Sequence, residues 1–217
     1  MQMRSAFPLC FALLLLVAAL PSRAQSLAGP YRLVGAPEAA GALDLLADGR
    51  FRYALSYGAL DEQATGVWRQ AGGRVLLTTD PKPRPPVWTE VGTEPGEPAV
   101  FALILEDVRG RPIPNIGLTV RMSDGSTEDG RTQAEWLEAD LDGRNPVSVR
   151  FEVPVFEVQS PEFPLDMKVA RRYRFRFDPA DLGVRNFEDW PLEIDGDLLR
   201  PPGAPEGQGF RRIRADD

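Results

Sequence analysis

Hydrophobic and polar positions follow two different rhythms along this chain. Residues 11–20 form a continuous apolar run, shorter than the roughly 20 residues a membrane-spanning helix needs. Further on, in Phe51-Arg52-Tyr53-Ala54-Leu55-Ser56-Tyr57, large apolar residues alternate with small or polar ones. A period of two is that of a strand with one buried face. Asp48-Gly49 precedes this segment and Gly72-Gly73 follows the next one; both pairs suit tight hairpin turns, where glycine supplies a positive φ. The pattern predicts an antiparallel meander with strands at 31–34, 43–46, 51–57, 66–69 and 75–79.

Prolines interrupt the rhythm at Asp80-Pro81-Lys82-Pro83-Arg84-Pro85-Pro86 and again at Glu94-Pro95-Gly96-Glu97-Pro98. Alternating prolines cannot sustain a ladder and favour an extended path, so residues 80–98 are read as a linker. Strands are expected again at 99–106, 118–122, 147–156 and 172–177. Thr132 with Glu135 fits a capping box and predicts a short helix over 132–141. Residues 178–183 read as a single helical turn ended by Gly183. The tail has hairpin character at 192–199 and 209–213.

The elements Gly29-Pro30-Tyr31-Arg32-Leu33, Asp48-Gly49-Arg50-Phe51, Gly66-Val67-Trp68 and Val75-Leu76-Leu77-Thr78 resemble the lipocalin-like small barrels of exported bacterial proteins. That resemblance implies an antiparallel barrel able to hold a small apolar ligand. Residues 101–125, with Asp107-Val108-Arg109-Gly110-Arg111-Pro112-Ile113-Pro114 between two strands, resemble the opening of a transthyretin-like, or carboxypeptidase-regulatory-like, β-sandwich. This implies an immunoglobulin-like accessory module that helps a neighbour fold or bind. The whole chain also looks like a group of exported bacterial proteins, a resemblance that carries no activity with it.

The expected fold class is therefore all-β: a small antiparallel lipocalin-like meander or partial barrel plus an immunoglobulin-like β-sandwich. The segments are 1–24 as signal peptide, 25–79 as meander, 80–98 as linker, 99–189 as sandwich and 190–217 as a C-terminal hairpin. Five strands are too few to close an eight-stranded barrel. Two arrangements fit: consecutive domains, or a sandwich inserted into a barrel that residues 190–213 return to complete.

Composition narrows the chemistry. Arg4, the apolar run and the small-residue ending Ser22-Arg23-Ala24 read as a secretion signal cleaved before Gln25, which predicts a periplasmic or extracellular protein without a stable membrane anchor. Cys10, the single cysteine, would leave with the signal. Removing residues 1–24 leaves 23 basic and 32 acidic residues, a net charge of −9, which argues against nucleic acid as a partner. Histidine is absent, so the commonest general base and the usual nitrogen ligand for metals are both missing. No cofactor or metal is expected, and no catalytic residue stands out.

Candidate binding residues are few. Tyr57-Gly58-Ala59-Leu60-Asp61-Glu62 brings an aromatic, a glycine and two acids to the end of a strand, where function tends to sit; Tyr57, Asp61 and Glu62 are the candidates. Trp88 lies beside the proline-rich stretch between the two expected modules, where clefts commonly form. Asp140-Leu141-Asp142-Gly143-Arg144-Asn145 spaces oxygens as calcium loops do, although Glu152 is one place too late to close such a loop. Arg172, Arg174 and Arg176 alternate with Tyr173, Phe175 and Phe177, so the arginines form the open face of a strand, either solvated or facing an acidic neighbour or anionic ligand. The expected role is a non-catalytic exported binding or envelope accessory protein whose partner is a small molecule, a glycan or an envelope protein. The alternatives are a carboxylate-based enzyme acting on glycans, for which Asp61 and Glu62 are the candidate pair, and a structural envelope component.

Overall fold

A computed structural model describes residues 26–214 of the chain; the apolar run, Cys10 and the expected cleavage point before Gln25 lie outside the described residues. Seventeen strands follow in chain order: β1 (Gly29–Val34), β2 (Ala39–Leu45), β3 (Arg50–Tyr57), β4 (Leu60–Ala71), β5 (Arg74–Thr79), β6 (Val87–Glu94), β7 (Val100–Glu106), β8 (Gly117–Met122), β9 (Thr127–Arg131), β10 (Leu137–Asp140), β11 (Pro146–Val153), β12 (Val158–Gln159), β13 (Phe163–Pro164), β14 (Arg172–Asp178), β15 (Trp190–Asp195), β16 (Leu198–Arg200) and β17 (Gly209–Arg212). The one helical element among the described residues is a 3-10 turn, Pro154–Phe156.

Eight strands close a barrel in the order β1-β17-β16-β15-β5-β4-β3-β2. The meander alone is open. The last three strands close it, because β15 pairs with β5 and β17 pairs with β1, Tyr31 opposite Arg212 and Leu33 opposite Phe210. Alternation sends every second side chain inward, and Leu43, Val75, Leu77 and Leu192 in the interior are wholly inaccessible to solvent. The middle of the barrel is thus a buried apolar core.

Residues between β5 and β15 form two further sheets. One has the order β10-β7-β14-β6, with β14 parallel to β7; the other runs β12-β11-β8-β9, with β13 also on β11. Their facing sides share one core that includes Leu103, Leu105, Val149, Phe151 and Phe175, as in a sandwich of two packed sheets. The alternation in β14 places Tyr173, Phe175 and Phe177 in this core. Two of its arginines meet acidic neighbours on the other face: Arg172 pairs with Glu138 and Arg174 with both Glu94 and the buried Glu106, and both guanidinium groups lie over the Trp136 ring.

Three expectations change. Residues 87–94, read as linker, form the strand β6 along β14; the prolines stop at Pro86, and Val87, Trp88, Thr89 and Val91 suit a pleated strand. No helix forms over 132–141. The Thr132 hydroxyl is buried, accepting from the Ile116 amide and donating to the Ile113 carbonyl, so it is committed to the neighbouring segment instead of a helix start, and 137–140 pairs as β10 on β7. Residues 178–183 make hydrogen-bonded turns with Gly183 at φ 88° but no α-helical turn. Among the described residues no helix is long and apolar enough to cross a membrane.

Candidate functional site

One end of the barrel carries the chain features most suited to binding. The β1–β2 turn, the β3–β4 hairpin and the β16–β17 loop all lie there, and so do the end of β5 and the start of β15, between which the sandwich is inserted. β4 is twelve residues long, but β5 pairs only with its second half, from Gly66 onward. Residues 183–187 fill the notch left beside the first half. The Gln63 amide donates to the Gly183 carbonyl at 2.9 Å, the Arg185 amide donates to the Gln63 carbonyl at 2.8 Å, and the Thr79 amide donates to the Phe187 carbonyl at 2.9 Å. This strap carries Phe187 into the barrel core, where its ring stacks on Trp190 at 4.6 Å and meets the edge of Tyr53 at 5.0 Å.

Above this aromatic floor the barrel opens into a mouth of about 550 Å³. Leu33, Leu55, Leu60, Phe210 and the prolines Pro37, Pro201 and Pro205 make its walls apolar, with Tyr53, Tyr57, Trp190 and Gln208 adding polar atoms. Gly35, at φ 72°, lets two rim loops touch, since a Cβ there would lie 2.8 Å from the Gly207 carbonyl oxygen. The volume falls in the range of about 300 to 1,000 Å³ usual for small-molecule sites. Among the described residues none hydrogen-bonds to the hydroxyl of Tyr53 or Tyr57, the indole N–H of Trp190 or the side-chain amide of Gln208. Such groups normally acquire a partner when they are covered.

Tyr53 is 8 % exposed, and burial, reinforced by the Glu62 carboxylate and partly offset by Arg185, pushes its phenol up to about 12. The phenol is therefore a neutral hydrogen-bonding group across the ordinary pH range. Glu62 points inward from β4 with its side chain only 14 % exposed and accepts from Arg185 at 3.2 Å.

Beside the mouth lies a second cavity, also about 550 Å³, between the barrel and the sandwich. Leu60 lines both cavities. Glu62, Arg185, Asp181 and Asn186 supply polar groups to this cleft, while Pro86, Val155, Phe156 and Leu182 supply apolar ones. The two connecting segments that frame it are tied together: the Arg84 amide donates to the Asp181 carboxylate at 2.8 Å, and Lys82 pairs with Glu188 at 2.9 Å. The Arg84 amide and, after it, the Arg84 side chain hold the Asp181 carboxyl below its ordinary range.

The four candidates from sequence separate. Tyr57 lies on the mouth, 54 % exposed, and Glu62 lies in the cleft. Asp61, its neighbour on β4, faces outward and accepts from the Ser56 hydroxyl at 2.6 Å, as expected of adjacent residues on a strand. Trp88 lines neither cavity: its ring stacks on Phe177 at 4.0 Å and on Phe151 at 5.8 Å, against the sandwich core. The 140–145 segment is a turn with Asp142 and Gly143 at positive φ, and Arg144 is ion-paired with Glu128; among the described residues no three acidic side chains converge as metal ligands. Arg185, Phe187, Gln208 and Phe210 are residues at or beneath the site that sequence reasoning missed. The one available signal was the hairpin character of the tail, which placed Trp190 and Phe210 in a returning sheet.

Comparison of the chain with protein-family models, with curated proteins and with solved structures gives no match.

Proposed function

We propose that this chain is an exported, non-catalytic binding protein in which a lipocalin-like barrel carries an inserted transthyretin-like sandwich and takes a small molecule at the barrel mouth. Export to the periplasm or the extracellular space rests on Arg4, the apolar run and the small-residue ending before Gln25. The observation that carries the binding role is the mouth itself, an apolar cup with four solvent-facing hydrogen-bonding side chains over a packed aromatic core.

Because the interior below Phe187 is filled, the occupant sits in the mouth and does not thread the barrel. Apolar walls contribute affinity in proportion to the area they cover, and the phenols, indole and amide fix orientation. The carboxylates nearby favour binding over hydrolysis. A general acid needs a carboxyl with a raised pKa, whereas the Asp181 carboxyl is shifted the opposite way.

Titration with the neutral fluorophore N-phenyl-1-naphthylamine tests this reading. Saturable enhancement with one site per chain, weakened by Tyr57→Ala, is expected; an absence of saturable enhancement, or enhancement indifferent to Tyr57, would overturn it.

A further inference from the structure

The mouth and the inter-module cleft open at the same end of the barrel, have equal volumes of about 550 Å³ and share Leu60 as a common wall. Their chemistry differs. The mouth is walled by leucines, prolines and aromatic rings. The cleft pairs an acceptor with a donor, Glu62 with Arg185 at 3.2 Å, and faces them with Val155 and Phe156 from the sandwich.

We infer that the ligand is an amphiphile whose apolar group occupies the mouth and whose uncharged, hydroxyl-bearing head reaches past Leu60 into the cleft. This rests on the proposed role of the mouth and adds the identity of the ligand's other half. Glu62 and Arg185 neutralise each other and Asp181 is ion-paired with Arg84, while the further Glu157 carboxylate in the lining repels anions, so the cleft is not built to hold a phosphate or carboxylate. Hydroxyl groups both donate and accept, and can bond to the carboxylate oxygen and guanidinium N–H groups that this single ion pair leaves open. The C–H face of a sugar ring would lie against Phe156, an aromatic surface suited to such contact.

The arrangement also gives the inserted sandwich a role. Its point of insertion, between Thr79 and Trp190, is at the mouth, and the 3-10 turn Pro154–Phe156 reaches the strap, where a Cβ on Gly183 would lie 3.6 Å from the Phe156 ring. The barrel supplies the apolar half of the site and the sandwich completes the polar half.

Two probes separate the claims in calorimetric titrations of the protein: octan-1-ol, and n-octyl β-D-glucopyranoside below its micellar concentration. Octan-1-ol should bind, Tyr57→Ala should weaken it, and octyl glucoside should bind about tenfold more tightly than octan-1-ol, one decade of affinity for the added head contacts. Phe156→Ala should remove that advantage while leaving octan-1-ol binding unchanged. Equal affinities for octan-1-ol and octyl glucoside in the unmodified protein would overturn the inference and leave the mouth reading standing. Failure of octan-1-ol and octyl glucoside alike to bind would overturn both.

Discussion

Phe187 and Trp190 are three residues apart, and their rings stack at 4.6 Å with an interplanar angle of 8° inside the barrel. Phe187 comes from the strap that leaves the sandwich and Trp190 opens β15, so this stack is where the returning chain enters the barrel. Trp190 and Tyr53, against which Phe187 packs, line the mouth. Phe187→Ala should lower stability by about 3–5 kcal/mol, the usual range for truncating a buried phenylalanine, and should deepen the mouth. Chemical denaturation measures the first effect; the size of the largest bound alkanol measures the second.

Gly66 is fixed by its surroundings. A Cβ there would lie 2.0 Å from the Thr78 carbonyl oxygen and 2.8 Å from both the Asp80 amide nitrogen and the Phe51 ring. Backbone atoms cannot retreat as a flexible side chain can. Gly66→Ala should separate β4 from β5 at the point where the connection to the sandwich begins, and should cost more than the ordinary 0.5–3 kcal/mol of a single substitution. Equilibrium unfolding of the variant checks this; a cost below about 1 kcal/mol would show that the two strands are less tightly opposed.

The Glu106 side chain is 7 % exposed, and its ion-pair partner Arg174 is 33 % exposed. Removing one partner of a buried pair leaves an uncompensated charge. Arg174→Met should therefore destabilise the fold by about 3 kcal/mol, and adding Glu106→Gln to that variant should recover part of the loss. A double-mutant cycle in denaturant reads the coupling.

Stability should decline toward both extremes of pH. Asp107, Asp124, Glu162, Asp181, Glu188 and Glu193 are held below their ordinary values by hydrogen bonds and ion pairs. Lowered carboxyl pKa values contribute stability above the unfolded-state values of 3.8 and 4.5, and that contribution disappears as pH falls through the folded-state values. Tyr53 works in the opposite direction: its contribution is complete below 10 and is lost as pH rises from 10 toward about 12. Tyr53→Phe should flatten the alkaline limb and leave the acid limb unchanged when unfolding is followed across pH.

Much of the all-β fold was legible from local alternation. Residues 51–57 and 172–177 each show an apolar and a polar face, and both form the expected strands. The paired glycines Gly72 and Gly73 take positive φ, as does Gly49 after Asp48. What local pattern could not supply was the partner of each strand. The capping signature Thr132 with Glu135 gave way because the Thr132 hydroxyl bonds to Ile113 and Ile116, a pairing across 16 to 19 residues. Strand β6 was hidden because proline density in 80–86 and 95–98 coloured the reading of the short proline-free stretch between them.

The site was half visible. An aromatic, a glycine and acids at the end of β3 marked the hairpin on which Tyr57, Leu60 and Glu62 meet the two cavities. Their partners Arg185, Trp190 and Phe210 lie more than a hundred residues later and reach the mouth only because β15 to β17 close the barrel. Trp88 shows the converse: its place beside prolines suggested a cleft, but its alternation with the outward Val87 and Thr89 turns the ring to the sandwich core.

The mouth as a ligand site is tested most directly by the indole N–H signals of the four tryptophans in a nitrogen-15 correlation spectrum titrated with octan-1-ol. Trp190 lines the mouth, while Trp68 donates to the Leu46 carbonyl at 2.9 Å and Trp88 lies against the sandwich core. A saturable shift of the Trp190 signal with Trp68 and Trp88 unmoved is the predicted result. An unchanged Trp190 signal at saturating octan-1-ol, or equal shifts at all four indoles, would contradict the account.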